Sequence, residues 1–203
     1  MTWINTIKPQ EAEGKLKRIY DRVKGSDGRV DNILAAHSLR PNTLEGHMAL
    51  YKNVLHHSAN QLSTAYLETI GVFVSLLNQC TYCVEHHYEG LVKQLNDREK
   101  ASEIRSALES STPGKALDGK ELQGALYAKM LTLNPASIDI EEIEKCRQSG
   151  LTDGEILEIN QVTAYFNYAN RTVLGLGVST EGDTLGLSPN NSEDPEDWSH
   201  QTI

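Results

Sequence analysis

The sequence lacks the long apolar runs and the positive charge that several functional classes require. Its apolar runs fall far short of the roughly 20 residues that span a bilayer, so no membrane partner is expected. Lysine and arginine number 19 against 28 aspartates and glutamates, which gives a formal net charge of −9. Because nucleic-acid phosphates are bound by clustered basic side chains, this charge argues against a nucleic-acid partner.

Cysteine is also scarce, with three residues, two of which form a Cys80-x-x-Cys83 pair. A chain of 203 residues buries about 70% of its unfolded surface, so it does not need disulfides to be stable. The first residues contain no apolar signal region, and we therefore expect a cytoplasmic protein. In a reducing compartment a Cys-x-x-Cys pair indicates redox or metal chemistry. Nothing indicates haem, flavin or nicotinamide, since no glycine-rich phosphate loop follows a strand.

Helical patterns run through most of the chain and predict an all-α protein. Apolar residues recur at helical spacing between cap and breaker residues, whereas the alternation typical of strands is nearly absent. We predict helices over 9–24, 31–38, 41–57, 63–78, 81–95, 98–110, 121–133, 140–148 and 153–176. Residues 1–181 are predicted to form one helical domain.

An internal comparison at an ungapped shift of 89 residues suggests two degenerate helical repeats. The matches are Leu62 with Leu151, Ser63 with Thr152, Ile70 with Ile159 and Asn78 with Asn167. Two amphipathic helices with similar caps also align by chance, so that alternative stays open. The second copy has Ala169 and Thr172 at the cysteine positions, which assigns any thiol chemistry to the first copy alone.

The C-terminal residues 182–203 are rich in proline, asparagine, serine and acidic residues. Such a segment cannot bury enough apolar surface to fold by itself. We expect either a disordered tail or an arm laid on a neighbouring subunit, and Trp198 favours the arm.

The stretch "LNQCTYCVEHHYEG" carries the candidate chemistry. A helix that begins near Cys80 places Cys83 and His87 four residues apart on one face, with Cys80 one turn earlier. The two thiols can then contact each other, and His87 can contact Cys83. A helix N-terminus also acidifies a nearby thiol through its unpaired N–H groups.

The preceding helical pattern, "AYLETIGVFVSLL", is apolar almost all round and yet contains Glu68. A buried carboxylate requires a partner or a proton. If the chain reverses at Asn78–Gln79, Glu68 and His87 lie at matching heights, because each residue of a helix rises about 1.5 Å. This predicts a relay in which Glu68 orients His87 and His87 accepts the proton of Cys83. The alternative is that Glu68 lies on a solvated stripe of its helix.

Zinc binding is the main chemical alternative. Cys80, Cys83 and either His86 or His87 could supply three ligands, but no second Cys/His pair has the spacing of a structural zinc module. We therefore expect no metal site. His86 is a candidate for a supporting or a solvent-facing role, and Cys146 is expected to be an inert thiol.

The spacing of Glu68, the Cys-x-x-Cys pair and His87 resembles the active-site signature of the alkyl hydroperoxidase D (AhpD)-like, carboxymuconolactone decarboxylase superfamily. Its branch of peroxidase-related proteins is the closest resemblance. "GLTDGEI" and "AYFNYANRTVLGLGV" are similar to the C-terminal segments of that branch, so the resemblance extends to about Val178.

This resemblance implies an AhpD-like helical fold whose core helices pack across subunits of a homo-oligomer. It implies a hydroperoxide substrate, a peroxidatic Cys83, a resolving Cys80 and a proton relay formed by His87 and Glu68. It also implies a dithiol or a thiol–disulfide protein, such as a lipoylated protein, as the reductant. Tyr82 departs from the family pattern, since peroxidases of the family carry a second histidine there, and it is a possible hydrogen-bond donor instead.

Two further interpretations stay open. The chain could be a helical assembly whose thiols switch with redox state, without turnover of peroxide. A lactone decarboxylase is a more distant alternative, because the decarboxylase members of the superfamily lack the paired cysteines.

Overall fold

The computed structural model describes residues 2–194 and 196–200, and this part of the chain is helical. Its α-helices are α1 (Gly14–Val23), α2 (Asn32–Ala36), α3 (Pro41–Leu55), α4 (Thr64–Leu77), α5 (Thr81–Leu95), α6 (Arg98–Glu109), α7 (Gly119–Leu133), α8 (Ile140–Gln148) and α9 (Asp153–Leu176). Short 3-10 turns lie at Pro9–Glu11, Pro113–Lys115 and Pro135–Ser137. Extended pairing in the described residues is limited to isolated bridges, so the predicted all-α fold is confirmed. None of the described helices is long and apolar enough to cross a membrane.

Helix α4 is the central element of the core. Ten consecutive residues from Tyr66 to Ser75 are buried, and the helix packs against α5, α7 and α9. A helix surrounded by other helices has no solvated face, which explains why its sequence is apolar all round. Glu68 lies inside this buried stretch, so the alternative of a solvated stripe is wrong.

The repeat expected from the sequence is limited to α4 and the first part of α9. Ser63 and Thr152 are both N-caps, and each accepts a hydrogen bond from the backbone N–H three residues on. The two copies then differ. The chain turns after Asn78, where Gln79 adopts a left-handed φ of 58°, whereas α9 continues without a break past Asn167.

The C-terminal segment, by which we mean residues 182–194 and 196–200, lies against the helices of its own chain. Trp198 is 5% exposed and packs with apolar residues of α1 and α3. The buried Lys52 of α3 donates its Nζ hydrogens to the Asn190 carbonyl and, at 3.0 Å, to Ser192 Oγ. In this structure the helices supply both the apolar contacts and the hydrogen bonds that the segment cannot make alone.

The rest of the tail prediction falls on Pro195 and residues 201–203, which lie outside the described residues. Exchange of the segment between subunits, and packing of the core helices across subunits, stay predictions for a single chain.

Candidate active site

The hairpin of α4 and α5 brings Glu68 and His87 together. The chain reverses at Asn78–Gln79, and Cys80 is the N-cap of α5. His87 Nδ1 lies 2.7 Å from Glu68 Oε2, and Glu68 is 1% exposed. A charge-assisted hydrogen bond of this length fixes the orientation of the imidazole and the tautomer that it adopts. The matching heights expected from the sequence are thus present in the structure.

The two thiols lie at the N-terminus of α5. Cys80 and Cys83 are both free and buried, and their sulfur atoms are 3.0 Å apart. This separation is shorter than a van der Waals contact of two sulfurs, and the two thiols are joined by an S–H···S hydrogen bond. A disulfide bond would need only a small approach of the sulfurs, since its S–S length is about 2.05 Å.

Ionisation of the thiol pair is coupled. A hydrogen bond from Cys83 lowers the pKa of Cys80, whereas the Cys80 partner and burial raise the pKa of Cys83. Because the two sulfurs lie 3.0 Å apart, the lowered and the raised pKa belong to the pair as a whole. The pair therefore releases its first proton more readily than an isolated thiol and its second proton less readily.

The two sulfurs line different spaces, and Cys83 is the one that lines an internal cavity. Glu68, Cys83 and His87 line this cavity, which has a volume of about 60 Å³. One buried water occupies about 10–15 Å³ of such a space, so the cavity has room for a few waters or a small ligand. Cys80 instead lines a separate surface pocket beside Trp3. A small molecule in the cavity meets Cys83 first.

Asn170 of α9 contacts the thiol pair and was missed by the sequence analysis. Its Nδ2 donates to Ser75 Oγ at 3.1 Å, and its Oδ1 accepts from Asn78 Nδ2 at 2.9 Å. A hydrogen bond from the same buried amide acts to lower the pKa of Cys83. The only signal in the sequence was the match of Asn78 with the neighbouring Asn167, whose Oδ1 accepts from Asn78 Nδ2 at 3.1 Å.

Tyr82 and His86 lie in the cavity wall, where they contact Asp183 of the C-terminal segment. The Tyr82 hydroxyl donates to Asp183 Oδ2 at 2.7 Å and accepts from the Ile33 N–H. His86 is 9% exposed, lies with its ring centroid 4.5 Å from that of Tyr82 in a tilted arrangement, and places its Nε2 3.3 Å from Asp183 Oδ2. Tyr82 is a hydrogen-bond donor, as expected, but to Asp183 rather than to a thiol. A solvent-facing His86 is wrong, because the ring is covered.

A second histidine approaches Glu68 from α3's C-terminal end. His56 Nε2 lies 3.9 Å from Glu68 Oε1 and 3.1 Å from the Tyr51 hydroxyl. Burial lowers the pKa of His56 to about 4, so the ring is neutral at pH 7. No local sequence pattern places His56 beside Glu68.

Gly90 of α5 leaves the space that the Glu68 carboxyl group occupies. A Cβ at Gly90 would lie 2.9 Å from Glu68 Oε1 and 3.1 Å from its Cδ. We expect Gly90→Ala to displace the carboxylate from His87 and to destabilise the fold by about 1–3 kcal/mol, which is typical of an overpacked core. The measurement is the free energy of unfolding from urea titration.

Gly46→Ala is the matched control for Gly90→Ala. Gly46 lies in α3, and a Cβ there meets nothing within 4 Å. The same substitution is therefore expected to stabilise the protein by about 0.5–1 kcal/mol, because alanine favours the helix. Equal effects of the two variants would show that Gly90 is not a spacer for Glu68.

Buried neutral histidines predict a loss of stability in acid. Burial lowers the pKa of His47 to about 3, below the ordinary value of 6.5. The unfolded chain therefore binds this proton more tightly, so the contribution is complete above pH 6.5 and declines as the pH falls towards 3. Asp31 acts in the opposite direction, since burial raises its pKa to about 7.

The contribution of His47 to the free energy of unfolding is best measured as the difference between wild type and His47→Gln. One proton changes the free energy of unfolding by about 1.4 kcal/mol per pH unit. Between pH 6 and 4, His47→Gln is expected to lower the slope of unfolding free energy against pH by about this amount. If the curves of unfolding free energy against pH, derived from urea titrations, ran parallel for wild type and His47→Gln, they would contradict a neutral, buried His47.

Within 2–194 and 196–200, no group of three or more His, Cys, Asp or Glu side chains is arranged to hold a metal ion. Cys146 is buried away from the hairpin, and burial raises its pKa.

Comparison with known proteins supports the resemblance drawn from the sequence. Residues 41–112, which include α4, α5 and the thiol pair, match the sequence model of the carboxymuconolactone decarboxylase family. A search of curated protein sequences gives no significant match.

Solved structures show the same fold over most of the chain. The alkylhydroperoxidase AhpD core of an uncharacterized peroxidase-related protein from Ralstonia eutropha JMP134 is 19% identical, with a TM-score of 0.77 over 88% of this chain and 91% of that one. An uncharacterized peroxidase-related protein from Silicibacter sp. TM1040 is 24% identical, with a TM-score of 0.74 over 88% and 91%. The debrominase Bmp8 is 16% identical, with a TM-score of 0.68 over 86% and 89%. The chain therefore has the fold of these AhpD-like and peroxidase-related structures, and its segment 41–112, which holds the thiol pair, matches the carboxymuconolactone decarboxylase family.

Proposed function

We propose that this protein reduces small hydroperoxides with electrons from its two thiols. The observation that carries the proposal is the position of Cys83. Its sulfur lies 3.0 Å from Cys80 Sγ, and it lines the same cavity as the hydrogen-bonded pair of Glu68 and His87. A nucleophile and a base with an orienting carboxylate thus line one small space, and a second thiol contacts the nucleophile from outside it.

The first step is attack of the Cys83 thiolate on the terminal oxygen of the peroxide. His87, held by Glu68, takes the thiol proton and returns it to the departing oxygen. The S–O bond forms as the O–O bond breaks, so sulfur is oxidised by two electrons and the peroxide leaves as an alcohol or water. The product on the protein is the sulfenic acid of Cys83.

The second step joins the two sulfurs. The Cys80 thiol attacks the sulfenic acid of Cys83, an S–S bond forms, and water departs with the Cys80 proton. Little movement is required, because the sulfurs begin 3.0 Å apart. An external dithiol then reduces the disulfide by thiol–disulfide exchange and restores both thiols.

The surface pocket beside Trp3 is the direction from which an external dithiol would reach Cys80, whose side chain is buried. Cys80 lines that pocket, whereas Cys83 lines the peroxide cavity. Peroxide and reductant would then approach the disulfide from different directions, and neither must leave before the other binds. We propose a dithiol-bearing protein or a small dithiol for this role.

A redox switch without turnover is the second candidate. It is favoured by the burial of both thiols and by the raised pKa of Cys83, which slow reaction with dilute peroxide. A switch would form its disulfide once per chain and would remain oxidised for as long as dithiol cannot reach Cys80.

One assay separates these functions. Peroxide consumption is followed with excess dithiothreitol, and the metal content of the same sample is measured. Many peroxides consumed per chain by metal-free protein support the proposal. One peroxide per chain would identify a switch instead, and stoichiometric zinc with no consumption would return these side chains to a metal site.

A further inference from the structure

The C-terminal segment supplies one side of the cavity that Cys83 lines. Six residues of this segment line the same cavity as Glu68, Cys83 and His87. They are Gly186, Leu187, Ser188, Pro189, Trp198 and His200. The first four follow one another in the chain and form a continuous strip. The peroxide cavity is therefore enclosed by two different parts of the chain, the α4–α5 hairpin and a segment about 100 residues further on.

The segment is held at several points along its length. At its start, Asp183 accepts hydrogen bonds from Tyr82 at 2.7 Å and from the Asn32 N–H at 3.1 Å. Lys93 Nζ donates to the Gly186 carbonyl at 2.8 Å. Further on, Ser192 Oγ accepts from the buried Lys52 at 3.0 Å. Anchors on both sides of the strip keep it in place over the cavity.

Gly186 brings the strip into direct contact with α5. Its φ is 70°, in the left-handed region that favours glycine. A Cβ at this position would lie 2.8 Å from Glu89 Cβ and 3.1 Å from the Gly90 N atom. The strip thus crosses α5 at Gly90, the residue that leaves room for Glu68, and no gap remains there for a substrate side group.

We propose that this strip and Trp198 are the specificity wall of the site and restrict it to small hydroperoxides, with Leu187 and Trp198 as the determining side chains. The inference rests on the proposed function. A volume of about 60 Å³ accepts hydrogen peroxide or a short alkyl hydroperoxide next to Cys83. A substrate with an aromatic ring meets the two apolar side chains and must displace them.

The test compares two peroxides as substrates, first for the wild type and then for a variant of the wall. kcat/KM is measured for hydrogen peroxide and for cumene hydroperoxide with excess dithiothreitol, in wild type and in Leu187→Ala. Wild type is expected to prefer hydrogen peroxide. Leu187→Ala is expected to raise the ratio of cumene hydroperoxide to hydrogen peroxide by about tenfold or more, the usual effect of removing several carbons from an apolar pocket. Leu157→Ala, at an exposed position of α9, is the matched control and leaves the ratio unchanged.

Trp198 provides an independent readout of the segment. Trp3 is 79% exposed and Trp198 is 5% exposed. In a Trp3→Phe background, fluorescence comes from Trp198 alone, and a blue emission maximum shows that the segment is docked. This measurement is made on each variant used for kinetics.

Two results would overturn the proposal that the strip and Trp198 form a specificity wall. One is a wild type that reduces cumene hydroperoxide as efficiently as hydrogen peroxide. The other is an unchanged ratio in Leu187→Ala, whether Trp198 remains buried or not, since an undocked wall would exclude nothing. Absence of Cys83-dependent consumption of either peroxide would instead refute the proposed function, and the two failures are thus distinguishable.

Discussion

Cys83→Ser is expected to abolish catalysed peroxide reduction, with a fall of at least about 10³-fold to the rate of dithiothreitol alone. Cys83 is the thiol that lines the cavity, and a serine hydroxyl cannot reduce an O–O bond. Peroxide loss with excess dithiothreitol measures the effect. Cys146→Ser is the matched control, because Cys146 is buried outside the hairpin and is expected to keep the wild-type rate.

Cys80→Ser separates the roles of the two thiols. This variant retains the cavity thiol, so it is expected to consume one peroxide per chain and to accumulate a sulfenic acid that dimedone traps. Multiple turnover would be slow, since the resolving thiol is missing. If Cys80→Ser formed no sulfenic acid and Cys83→Ser did, peroxide attack would belong to Cys80, whose pKa is the lowered one of the pair.

The part of the site on the α4–α5 hairpin could be predicted because it depends on local rules. Helical spacing places Cys83 and His87 on one face, and a reversal at Asn78 sets the height of Glu68. Both statements need only the residues between 68 and 87. The cap residues Ser63 and Thr152 fixed the starts of α4 and α9 in the same way.

The rest of the site could not be predicted because it depends on contacts between distant parts of the chain. Asn170, His56 and Asp183 each reach the hairpin from another element, and no periodicity specifies which side chain a neighbouring helix presents. The position of the C-terminal segment could not be predicted for the same reason. Its composition excludes independent folding, but it folds on surfaces that the helices provide.

Glu68→Gln is expected to lower kcat/KM for peroxide by about 10²–10³-fold, the range typical of losing a general acid–base function. Glutamine keeps the size of the side chain and can accept a hydrogen bond from His87 Nδ1, but it carries no charge to stabilise the imidazolium that forms when Cys83 is deprotonated. Glu85→Gln is the matched control, because Glu85 pairs with Arg105 on the other side of α5 and is expected to keep the wild-type rate.

The free energy of unfolding of Glu68→Gln distinguishes a proton relay through Glu68 and His87 from an ion pair that only supports the fold. Glu68 is 1% exposed, and holding its charge in the core costs free energy that its contacts with His87 and His56 only partly offset. Glu68→Gln is therefore expected to leave the free energy of unfolding unchanged or to raise it while activity falls. A variant that lost several kcal/mol of stability and kept its activity would show that Glu68 supports the fold and not the proton transfer. A loss of activity in a protein at least as stable as wild type would mean that the buried carboxylate serves the reaction rather than the fold.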